Sequence, residues 1–135
     1  MIKPFQENAI FNNLLANQLC DELISVLPLG DLIYPTSFML TGAAAYALQR
    51  ESTIEIPNVV FKIRNLDYYY ALLDYLDRIT TKEMKKYTNR TYFQFQAGAL
   101  LLFVTLVFDP DNETEVINYN GVPLESYEFI NPDLL

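Results

Sequence analysis

At 135 residues the chain fits one domain, 1–135, and is long enough to bury a core without disulfide or metal staples. About half of it is hydrophobic, with ten Tyr and nine Phe, which argues against a disordered chain. The absence of histidine, one cysteine (Cys20) and a net charge of −8 exclude a Ser-His-Asp or Cys-His pair, a zinc site and an internal disulfide, and disfavour nucleic-acid binding.

The first element is predicted as a helix over residues 6–27. Ile10, Phe11, Leu14, Leu15, Leu19, Leu23, Ile24 and Leu27 recur at three- and four-residue steps, and Pro28 and Gly30 end the pattern. Cys20 falls on this helix as a small apolar residue. Ser37 to Gly42 then reads as a short buried strand. The alanine-rich run from Gly42 to Leu48 changes at once to helix, with a tight turn between. Ile54 to Pro57 is a connection, and Asn58 to Ile63 is a second strand rich in β-branched residues.

Asn65 is placed to cap a helix from Leu66 to about Ile79, whose apolar face is Tyr69, Leu72, Leu73, Leu76 and Ile79. Tyr68, Tyr69 and Tyr70 are consecutive, so they cannot all face the core. They form a candidate contact surface, since tyrosine is enriched at interfaces. Lys82, Lys85 and Lys86 make a basic cluster in a polar connection. Thr91 to Gln96 alternates as a half-exposed strand, and Ala97-Gly98 reads as a turn. Ala99 to Phe108 is an almost wholly apolar strand, expected in the sheet interior with both faces covered. Asp109, Asp111 and Glu113 alternate in a loop that lacks the Gly and distant Glu of a calcium-binding hand. Val116 to Tyr119, Asn120-Gly121 and Val122 to Leu124 read as a hairpin, followed by a short helical end.

The fold class expected is α/β (α+β), with a mixed sheet of about five strands and helices packed on it. Leu14, Leu40, Val60, Leu73, Leu101, Phe103 and Val107 are the expected core. No apolar stretch follows Lys3, so a signal peptide is not expected. The run from Ala97 to Phe108 is too short to cross a bilayer as a helix. A cytoplasmic location without membrane contact follows as an expectation, and there the glycosylation-like Asn89-Arg90-Thr91 and Asn112-Glu113-Thr114 have no meaning.

The run Phe38-Met39-Leu40-Thr41-Gly42-Ala43-Ala44-Ala45-Tyr46-Ala47-Leu48 resembles the strand, Gly-Gly or Gly-Ser turn and Ala/Leu helix of the nucleotidyltransferase superfamily. The likeness is to its small bacterial members related to toxin–antitoxin and abortive-infection proteins. The late hairpin through Asn120-Gly121-Val122 to Leu124-Glu125-Ser126 is similar too, and the resemblance covers about residues 8–130. It implies a site in which an Asp-x-Asp pair on the second strand and a third carboxylate on a later strand hold two magnesium ions.

The matching positions here do not supply that set. Setting the pair on Glu55 and Pro57 leaves one carboxylate, and setting it on Asn58 and Val60 leaves none. The long strand has none either, and the turn is Gly42-Ala43. The resemblance therefore implies a degenerate site around Gly42, Ala43, Glu55, Asn58 and Val60, with no catalytic residue, no metal ligand and no cofactor. On that surface Asn58 is the expected polar group, and no two carboxylates are expected within about 5 Å of each other. The function expected is a non-enzymatic module that binds another protein or regulates it, in a phage-defence, mobile-element or toxin–antitoxin setting. The alternative is a metal-dependent nucleotidyltransferase with a rearranged carboxylate site, Glu55 with Asp67 or Asp109.

Overall fold

The computed structural model of the chain describes residues 3–27, 37–50, 58–80, 85–97, 100–110 and 115–126. In chain order the elements are α1 (Pro4–Glu7), α2 (Leu14–Val26), β1 (Phe38–Thr41), α3 (Gly42–Gln49), β2 (Asn58–Ile63) and α4 (Leu66–Ile79). Then come β3 (Lys85–Lys86), β4 (Arg90–Ala97), β5 (Leu100–Phe108), β6 (Val116–Tyr119) and β7 (Val122–Glu125). The architecture is α+β with a mixed sheet. It has seven strands among the described residues, in the order β3-β4-β5-β2-β1-β7-β6, rather than about five. The extra strands come from β3, expected as loop, and from counting both arms of the late hairpin.

β5 lies between β4 and β2, so the interior position expected for the apolar strand holds. It is antiparallel to β4 and parallel to β2, while β1 runs antiparallel to β2 and parallel to β7. Register sorts the side chains into two faces, because successive residues of a strand point oppositely. Phe38 and Leu40, Val59, Phe61 and Ile63, Phe93, Leu102, Val104 and Leu106 share one face with Val122 and Leu124. These residues form one buried cluster with Phe5, Phe11, Cys20, Leu23, Ala44, Ala45, Leu72 and Leu76, so the helices cover this face. Phe61 anchors it, stacked on Phe38 at 4.8 Å and met edge-on by Phe5 at 6.3 Å.

The single helix expected over 6–27 is two helices. Ala9, at φ 45, breaks it. Asn13 caps α2 by accepting from the Ala16 amide. Asn17 holds both the N–H and the C=O of Phe11, and the buried Asp21 carboxylate accepts from the Phe5 and Gln6 amides. These side chains fold α1 back on α2, where backbone bonding of one long helix was expected. Because α2 begins at Leu14, its buried stripe runs through Ala16, Asn17, Cys20, Leu23 and Ile24. Leu14, an expected core residue, is thus 64 % exposed.

Leu40, Val60 and Val107 are buried as expected, but Leu73, Leu101 and Phe103 are only half-buried. The last two point away from the helices, in the first half of β5. The hairpin forms as expected, with Asn120 at φ 50 and Gly121 at φ 93, the two positive angles of a type I′ turn. Ala97 still pairs with Leu100; the turn predicted at Gly98 and the helical end beyond Ser126 lie outside the described residues. No described helix is long and apolar enough to cross a membrane.

Candidate functional site: an ion network on the second face of the sheet

The face turned away from the helices carries Met39 and Thr41 from β1, Asn58, Val60 and Lys62 from β2, and Phe103, Thr105 and Val107 from β5. Of the degenerate-site residues, Asn58 and Val60 lie here. Val60 is buried and Asn58 is exposed, its side-chain oxygen accepting from the Thr105 hydroxyl at 3.0 Å. Gly42 opens α3 directly after β1 at φ 71, a left-handed conformation that favours glycine. Gly42 is buried and Ala43 exposed at this turn. Glu55 lies outside the described residues.

The surface is more polar than expected. Lys62 projects from it and donates to Glu125 Oε2 at 2.8 Å. Its Nζ also stands 3.4 Å from Asp109 Oδ2, just beyond the end of β5. The other oxygen of Glu125, Oε1, accepts from the Thr41 hydroxyl at 2.8 Å. Gln49 of α3 donates to the Glu125 carbonyl at 2.7 Å, tying the helix to the end of β7. The Glu125 side chain is 1 % exposed and that of Lys62 13 %. A carboxylate at that depth is held only with a charge partner and further hydrogen bonds, and it has both.

Asn58 is therefore not the one polar group of this face. Two carboxylates, Glu125 and Asp109, both pair with the Lys62 ammonium. Of the alternative set, Asp67 is exposed in the first turn of α4, in the helical layer, and Asp109 reaches Lys62 on the opposite face, while Glu55 lies outside the described residues. Among the described residues no three acidic or cysteine side chains gather as a metal site.

Lys62, Thr41 and Glu125 were missed by the sequence reading. A signal existed for the first: in Asn58-Val59-Val60-Phe61-Lys62-Ile63 a lysine interrupts an apolar strand on the period of Asn58 and Val60. No local pattern announces Glu125, because its partners are 84 and 63 positions away in the chain.

The tyrosine run divides as its spacing requires. Tyr69 is buried, with its hydroxyl 3.0 Å from that of Thr91 and its ring 5.5 Å from Phe108. Tyr68 is half-buried, and Tyr70 is 59 % exposed. The three do not make one continuous surface. Cys20 is fully buried, and loss of hydration, with Asp21 beside it, raises its thiol well above the usual range. It is a packing residue and not a nucleophile. Comparison with protein-family models, curated proteins and solved structures finds no match to this chain.

Proposed function

We propose that the chain is a catalytically silent, nucleotidyltransferase-like domain that acts by binding another protein or regulating it. The observation that supports this most is the Lys62 ammonium paired with both Glu125 and Asp109 on the face away from the helices, beside the Thr41–Gly42 turn. A magnesium ion needs oxygen ligands of net negative charge and sheds its water reluctantly. At this place a tethered cation already neutralises a buried carboxylate. Magnesium would have to displace it and leave an ammonium beside a dication. The order of β1, a glycine turn, α3 and then β2 supports the family likeness. The phage-defence, mobile-element or toxin–antitoxin setting rests on that likeness alone.

Calorimetric titration with magnesium and ATP tests the silence. No saturable heat is expected. Saturable, magnesium-dependent ATP binding, or nucleotidyl transfer that Glu55→Gln abolishes, would restore the enzyme.

A further inference from the structure

The half-buried Phe103 in the first half of β5 borders a groove of about 250 Å³ on the face turned away from the helices, at the β3 edge of the sheet. Lys85, Tyr87, Tyr92, Gln94 and Phe103 line it, with Phe93 between them. Register places Lys85 opposite Tyr92 and Gln94 opposite Phe103, so the lining comes from three neighbouring strands. Tyr87 meets Tyr92 edge-on at 5.3 Å while remaining 62 % exposed. Among the described residues the groove thus has aromatic walls, one side-chain amide and one ammonium.

Its size and charge narrow what it takes. The volume lies below the roughly 300–1,000 Å³ of sites that enclose a drug-sized molecule, and suits one ring-bearing side chain. Lys85 joins none of the ion pairs of the described residues. Arg90, two residues before Tyr92 on β4, lies on the same face. In a chain of net charge −8 this is a local cationic spot. It therefore favours an acidic partner that the rest of the surface repels. A phosphate is served by converging backbone N–H groups of a glycine loop or helix start. Among the described residues no glycine and no helix contributes to this lining, and the Lys85 ammonium matches a carboxylate.

We propose that this groove receives an aromatic side chain of the partner protein, from a segment with a carboxylate next to that ring. The proposal rests on the protein-binding reading above and names the chemistry of the partner. The test is a nitrogen-15 NMR titration of the whole chain with acetyl-Glu-Trp-Glu-amide. Saturable shifts are expected at the amides of Tyr87, Gln94 and Phe103. Binding should weaken about fivefold with acetyl-Lys-Trp-Lys-amide, about tenfold with acetyl-Glu-Ala-Glu-amide, and about fivefold in Lys85→Glu, from the sizes of one partly screened charge pair and one aromatic contact. Lys85 and Tyr87 are exposed, so Lys85→Glu and Tyr87→Ala leave the fold intact. Absence of saturable shifts, equal binding of the lysine peptide, or tighter binding of AMP at the same amides would overturn the proposal. Magnesium–ATP binding would sink the silent reading and leave these shifts in place. Missing shifts would sink the groove and leave the Lys62 result standing.

Discussion

Lys62 balances the buried charge on the face away from the helices. Replacing it with methionine keeps most of the length of the side chain but takes the Lys62 ammonium away from Glu125, which is 1 % exposed. Loss of about 3–5 kcal/mol is expected for Lys62→Met in urea unfolding, the size of an uncompensated buried charge. The double variant Lys62→Met, Glu125→Leu should recover much of it, since the stranded charge is then gone. A loss in the double variant equal to the sum of those in Lys62→Met and Glu125→Leu alone would show that the pair is not coupled. A second residue-scale test lies in the helical layer. Tyr75 of α4 donates its hydroxyl to Glu22 of α2 at 2.8 Å. Lost hydration, then that bond and the Glu22 charge, push its ionisation up from the ordinary 10.0 to about 12. The folded chain therefore keeps a proton that the unfolded chain has released. The stability this lends is complete below the ordinary value and is lost as pH rises through the folded one. The tyrosinate absorbance that wild type shows and Tyr75→Phe lacks should develop near pH 12. Its development at the ordinary pH would contradict the contact.

Among the strands, the two faces of the sheet set different costs for the same deletion. Phe61 of β2 is fully buried between Phe5 and Phe38, so Phe61→Ala should cost about 3–5 kcal/mol. Phe103 of β5 stands half-buried at the groove, and Phe103→Ala should cost about 1–2 kcal/mol, in proportion to the area it hides. Chemical denaturation of both variants checks the ranking. A larger loss at Phe103 would place it in the core after all. These strands also show what was legible beforehand. Interior position for β5, the Asn120-Gly121 turn and the Asn65 cap of α4 follow from local patterns, and each is found. The break at Ala9 was not legible, because the cause is Asp21 and Asn17 reaching back from the next helix. β3 was hidden because its two residues are both lysines, and only pairing with β4 makes them a strand. The candidate site was legible in its turn and in Asn58 and Val60. Its charges were not, since Thr41, Lys62, Asp109 and Glu125 meet only when β1, β2, β5 and β7 are set in order.

At the scale of the molecule, helices cover one face of a seven-stranded sheet, and the opposite face combines a neutralised ion network with an aromatic groove. The first feature argues against metal chemistry at that place, and the second offers a contact to a partner. Both follow from one sequence property: β2 and β5 are apolar toward the helices and mixed toward the other side. Thermal unfolding with and without millimolar magnesium tests the central claim most directly, on wild type and on Lys62→Ala together. If the ammonium holds the cation position, wild type gains nothing from magnesium. The destabilised variant regains part of its loss, because the place of the Lys62 ammonium beside Glu125 and Asp109 is then open to another cation. A rise in wild-type melting temperature with magnesium, abolished by Glu125→Gln, would show that these carboxylates bind the metal with Lys62 present and would contradict the silent reading.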